Sequence, residues 1–232
     1  MPTYHGSFNL PFTFSFRDMT FLMRTIVGTA ALAALALAPA TIQAQESAPR
    51  PPAPKVLVAG ENPAIRLLDK EGGKAISNAN FWRVEWSPAG AGAVCFVTVN
   101  APGEDSLRIA IYDDQKVLDY VTTDLMSSLM KTFNDPAYTP VKGTITQTNN
   151  GATDRKETCK SDRYTVELVW KGLGQGTWAD MKMGPVLMTF TMVPASSGEI
   201  WINGKKAPGT WYPTGGGMGP GAYLTVNETW RR

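Results

Sequence analysis

Tyr164-Thr165-Val166-Glu167-Leu168-Val169-Trp170 (YTVELVW) sets Tyr164, Val166, Leu168 and Trp170 on one side of the chain and Thr165 and Glu167 on the other. A side-chain period of two belongs to a strand with a buried face, because successive Cβ atoms point to opposite sides of a sheet. The same period recurs in both directions from this stretch. Phe81 to Trp86 (FWRVEW) sets Trp82, Val84 and Trp86 against Arg83 and Glu85, and Ala93 to Val99 is an apolar run containing Cys95. Leu107 to Tyr112 and Lys116 to Val121 flank Asp113-Asp114-Gln115, which reads as a hairpin loop. Thr144 to Thr148 and Glu157 to Lys160 flank Asn149-Asn150-Gly151 as a more polar hairpin. Val186 to Val193 is an apolar strand, and Glu199 to Ile202 leads into Asn203-Gly204, whose residues both tolerate positive φ. Ala222 to Trp230 alternates again. About nine short strands predict a mainly β domain, an antiparallel β-sandwich. One segment departs from the pattern: Thr123 to Phe133 carries Leu125, Met126, Leu129, Met130 and Phe133 at helical spacing, with Thr123 as its expected N-cap.

Ahead of these strands lies a stretch with the parts of a secretory signal peptide. Arg24 is its positive start, residues 25 to 38 its apolar run, and residues 39 to 44 a small-residue exit with Ala44 at the expected cut. The apolar run of 14 residues is shorter than the ~20 that a membrane-spanning helix needs. Met23 is the more natural start for such a leader than Met1. The expected organisation is a leader over 1–44, a linker over 45–55 with four prolines, and one β domain over 56–232. The expected location is periplasmic or secreted; an uncut leader would instead anchor the domain to a membrane.

The only histidine, His5, falls within the leader, so the exported part carries no imidazole. That excludes Ser-His-Asp and Cys-His relays and zinc sites built on histidine. With 22 basic and 20 acidic residues scattered along the chain, no basic stripe marks a nucleic-acid surface. In an oxidising compartment Cys95 and Cys159 are expected to form one disulfide, closing about 64 residues and contributing roughly 4 kcal/mol. The carboxylates open to acid–base work are Asp113, Asp114, Glu167, Asp180 and Glu228, but no spacing pairs any two of them. Glu167 and Glu228 are expected to face outward, and no calcium-loop pattern accompanies Asp113, Asp114 and Asp154.

Two glycine-rich stretches, Gly172 to Gly176 and Gly215 to Gly221, are expected to be loops between strands rather than phosphate-binding turns. Met181, Met183, Met188, Met192 and Met218 offer thioethers suited to Cu(I), although packing explains them more simply. Trp178, Trp211 and Tyr212 are the aromatic residues expected in Gly- and Pro-rich loops, where exposed rings bind partners. The leading expectation is a non-catalytic, exported β protein without metal or cofactor that binds another protein, as an extrinsic subunit or adaptor of a membrane complex. The alternatives are a carbohydrate-binding module that stacks sugars on those three aromatics, and a carboxylate-based hydrolase or lyase.

Overall fold

The computed structural model describes residues 55–103, 105–127, 138–213 and 221–232. The leader, the linker up to Pro54, the end of the expected Thr123–Phe133 helix and most of the second glycine cluster lie outside these residues.

Thirteen strands make one large mixed sheet. In chain order they are β1 Val56–Glu61, β2 Ala64–Leu68, β3 Ala75–Trp86, β4 Gly92–Val99, β5 Leu107–Tyr112, β6 Thr139–Lys142, β7 Thr144–Asn150, β8 Asp154–Lys160, β9 Thr165–Leu173, β10 Thr177–Met183, β11 Val186–Ile202, β12 Lys205–Lys206 and β13 Ala222–Arg231. Their order in the sheet is β6-β5-β4-β3-β1-β13-β11-β9-β8-β7, with β2 continuing the line of β1 between β3 and β13. The two ends of this path, β6 and β7, are joined in the chain by Gly143 alone, so the sheet returns on itself.

The pairing is antiparallel everywhere except between β5 and β6, which are parallel. A parallel neighbour needs a crossover connection, and the helical stretch after β5 lies in it. This corrects two expectations. Lys116 to Val121 is not a strand but enters α1, Gln115–Asp119, followed by a π-helical segment over Tyr120–Ser127. The N-cap is Asp114, whose side chain accepts from the N–H groups of Lys116 and Val117, rather than Thr123. The apolar alternation of Val117, Leu118 and Val121 suits either reading over six residues; the capping aspartate decides for the helix.

Two expected strands, Val186–Val193 and Glu199–Ile202, are the halves of one long strand, β11. Its first half pairs with β10 and β13, and its second half with β9, the change falling at Pro194–Ala195. The expected turn at Asn203-Gly204 is present, with φ of 51° and 76°.

This switch creates two cores. In the first, Phe81, Cys95, Val97, Ile109 and Ile111 from β3–β5 meet Cys159, Val166, Leu168, Trp170 and Ile200 from β8, β9 and the second half of β11. In the second, the opposite faces of β3 and β4, carrying Trp82, Val84, Val94 and Phe96, meet Val186, Met188, Phe190 and Trp230. Val117, Leu118, Val121 and Leu125 of the helical stretch close that second core. Trp82 and Val84 share a face as expected, whereas Trp86, at the end of β3, is exposed.

Candidate ligand-binding site

The second core is incompletely filled. It holds a cavity of about 620 Å³ between β3, β4, β10, β11 and β13. Trp82 and Trp230 meet edge to face with centroids 5.2 Å apart, and Phe96 meets Tyr138 in the same way at 5.0 Å. These four rings and Phe190 are the aromatic wall. The rest of the apolar lining is methionine: Met126 from the π-helical segment, Met181 and Met183 from β10, and Met188 and Met192 from β11. All five methionines among the described residues line this one cavity, and the first core contains none. The register explains the clustering, since Met181 lies directly opposite Met188 and alternation places Met183 and Met192 on the same face.

Thr177–Met183 was expected to be loop, but it is an edge strand paired only with β11. Its residues alternate between the cavity and solvent without an apolar run, which hides it in the sequence.

The remaining wall is polar. Asn62, Arg66, Asn78, Asn80, Tyr223, Thr225 and Glu228 line it, and Asn80 Nδ2 donates to Asn62 Oδ1 at 2.6 Å. Glu228 departs most from expectation. It does not face outward: it is 4% exposed and lines the cavity. The reason is local. Asn227 takes φ of 54°, and the β11–β13 register shifts at this point. An extra residue reverses which side chains face which side of a strand. Ala222 and Leu224 therefore belong to the first core, while Glu228 and Trp230 face the second.

Both oxygens of Glu228 are accepting. Thr225 Oγ1 donates to Oε2 at 2.5 Å, and Trp230 Nε1 donates to Oε1 at 2.5 Å. Thr225 Oγ1 itself accepts from the Asn62 N–H at 2.9 Å, which leaves its own proton for the carboxylate. Burial pushes the Glu228 carboxyl above its ordinary range, against the lowering effect of these two donors. Trp82 Nε1 is buried and has no hydrogen-bond partner.

The other expected site residues are dispersed. Trp178 lies in β10, not in a loop, and is 63% exposed. Trp211 is half-buried against the first core and lines a separate cleft with Leu67, Glu199 and Lys206. Tyr212, half-buried, follows Trp211. Trp178 and Trp211 thus stand on different elements and line no common cavity among those described. Asp113 accepts from the Ala93 N–H, Asp114 caps α1, Asp154 accepts from the Gly172 N–H, Glu167 pairs with Lys156, and Asp180 is exposed.

Cys95 and Cys159 are buried neighbours on facing walls of the first core, near one another but present as thiols. Burial, then contact with Cys95, raises the Cys159 thiol well above its ordinary value.

A second polar group went unrecognised in the sequence. Arg155, 2% exposed, bonds Glu157 at 2.7 Å and also Glu61, and Arg83 reaches the other oxygen of Glu157 at 2.7 Å. Two cations and two anions thus satisfy one another, which is the arrangement of a structural cluster. The one signal available was the alternation Arg155, Glu157, Cys159, which places two charges on the cysteine's face of β8.

The chain matches no protein-family model, no curated protein and no solved structure.

Proposed function

We propose that this is an exported, non-enzymatic binding protein that holds a small, largely apolar organic molecule in the second-core cavity. The observation that carries this reading is the convergence of all five described methionines and six aromatic rings on one space of about 620 Å³. That volume lies within the range of small-molecule sites, about 300–1,000 Å³. It is far larger than a bare Cu(I) ion requires, so the thioethers act as an adaptable apolar lining rather than as metal ligands. Among the described residues no cluster of histidine, cysteine or carboxylates offers a metal site. Glu228 is the single carboxylate in the wall, whereas glycoside hydrolysis by the usual route needs two.

The test is titration of the purified protein with N-phenyl-1-naphthylamine, an apolar dye whose emission rises out of water. One saturable site per chain is expected, and it should be lost when Met192→Trp fills the cavity with the circular dichroism spectrum unchanged. Absence of saturable binding to the unmodified protein would refute the reading.

A protein partner is the second reading. It rests on β10, an edge strand that exposes Trp178 at 63% and Met181 at 42%. An edge of this kind presents backbone donors and acceptors together with an apolar anchor. Cross-linking from a photoreactive residue at position 178 in the exporting cell would capture that partner, and a strictly uncross-linked chain would argue against it.

A further inference from the structure

Glu228 is the one carboxylate in a cavity whose wall is partly apolar and partly polar. Among the described residues no lysine or arginine forms an ion pair with it, and its only bonded partners are the neutral donors Thr225 and Trp230. Both suit the ionised carboxylate: the Trp230 indole can only donate, and the Thr225 hydroxyl has its proton free to donate. A buried charge without an opposite charge is costly. The same cavity is lined by Trp82, Trp230, Phe96 and Phe190, aromatic rings whose negative π-faces attract cations. Arg66 is the only other charged group in the wall. It lies beside Tyr223, its guanidinium carbon 5.6 Å from the ring centroid. Tyr223 is five residues from Glu228, roughly 15 Å of extended strand.

From this arrangement, and resting on the proposed ligand-binding role of the cavity, we infer that its ligand is an organic cation, an amine or quaternary ammonium on an apolar body, whose charged end sits against Glu228. The hydroxyl of Thr225 and the indole of Trp230 are positioning groups: they hold the carboxylate oxygens in place for the cation. The methionines and the remaining rings accept the apolar body, and the unpartnered indole N–H of Trp82, a donor only, would take an acceptor atom on that body rather than the cationic end.

Three probes of one length separate the contributions: decyltrimethylammonium, 1-decanol and decanoate, each titrated into the full chain and followed by tryptophan emission and calorimetry. The ammonium is expected to bind at least about tenfold more tightly than 1-decanol, and decanoate more weakly than either. Glu228→Gln should bring ammonium and alcohol to within about twofold of each other, with an unchanged circular dichroism spectrum showing that the variant is folded. In the unmodified protein, ammonium affinity should fall from pH 8 to pH 5 as Glu228 takes up a proton. The other side chains lining the cavity from β3, β4, β10, β11 and the π-helical segment are neutral; Arg66 on β2 keeps its charge throughout, as does Arg83 on β3, which with Glu61 on β1 shares a narrow adjoining cleft with Glu228. Decanoate binding as well as the ammonium, or a preference for the ammonium that survives Glu228→Gln, would overturn the inference while leaving the cavity's binding role intact. Binding of none of the three would overturn both.

Discussion

Arg155 and Glu157 stand two residues apart on β8, in a stretch that reads as a polar hairpin, yet both are almost wholly buried. Arg155 keeps its proton firmly: burial opposes its charge, but Glu61 and Glu157 outweigh burial and raise its pKa. Removing one partner of such a cluster leaves a buried charge uncompensated. Arg155→Ala is therefore expected to destabilise the protein by about 3–5 kcal/mol in urea unfolding. Glu228 behaves in the opposite way because no cation among the described residues pairs with it. Its folded pKa is raised above the unfolded value, so above the folded pKa its ionisation works against folding, and this penalty shrinks as the pH falls toward the unfolded pKa. Glu228→Gln is thus expected to be the more stable chain at pH 7, with its advantage over the unmodified protein narrowing as the pH is lowered toward 4; a constant difference across that range would contradict the assignment. Neither residue's setting was legible in the sequence, for different reasons. The outward reading of Glu228 presumes one covered face, whereas β13 is covered on both faces and changes sides at Asn227. Arg155 and Glu157 acquire their partners from β1 and β3, some 70 to 95 residues away, and no local pattern reports such a meeting.

Elements that carry an unbroken apolar run or a clean alternation in the sequence were the readable ones. β4, β5, β9 and β13 lie close to where alternation placed them, and Val166, Leu168 and Trp170 share the first core. Elements that change partners along their length, or that border the cavity at the sheet edge, were not. β11 was divided in two because its halves pair with different neighbours across Pro194, and β10 was missed because an edge strand over a cavity needs no continuous apolar run. The cavity wall itself was therefore visible only as scattered methionines. The helical stretch shows how a small local contact settles an ambiguous segment. Asp114 satisfies two N–H groups at the start of α1, and Asp114→Ala is expected to cost about 1 kcal/mol of global stability. Because Val117, Leu118 and Val121 of this stretch sit on the second core beside the cavity, its amides should also exchange faster by hydrogen–deuterium mass spectrometry, whereas those of β9 should not.

At the scale of the whole molecule, the sheet's return on itself depends on Gly143. The chain passes from the parallel pairing of β6 with β5 to the antiparallel pairing of β7 with β8 within this one residue. Its N–H donates to the Tyr112 carbonyl at 2.8 Å. A Cβ placed there would lie 2.7 Å from Ile111 Cγ2 and closer still to the Lys160 carbonyl oxygen. The obstacle on one side is backbone and on the other a fully buried side chain, so neither yields cheaply. The same closure holds Cys159 on β8 opposite Cys95 on β4, and we expect chain exported to an oxidising compartment to show no free thiol by mass-spectrometric alkylation, against two in chain made in a reducing one. Gly143→Ala tests the closure directly. Overpacking at such a site costs about 1–3 kcal/mol or more, and for a domain of this size each kcal/mol moves Tm by about 2–4 °C. With backbone as the nearest obstacle the cost belongs at the upper end, about 3 kcal/mol, and a fall of roughly 6–12 °C is expected. Gly174→Ala is the control, because its Cβ would meet only Pro194, at an ordinary 3.4 Å, and it should unfold within about 2 °C of the unmodified protein. If the two variants unfold alike, Gly143 is not the point on which the sheet's closure turns.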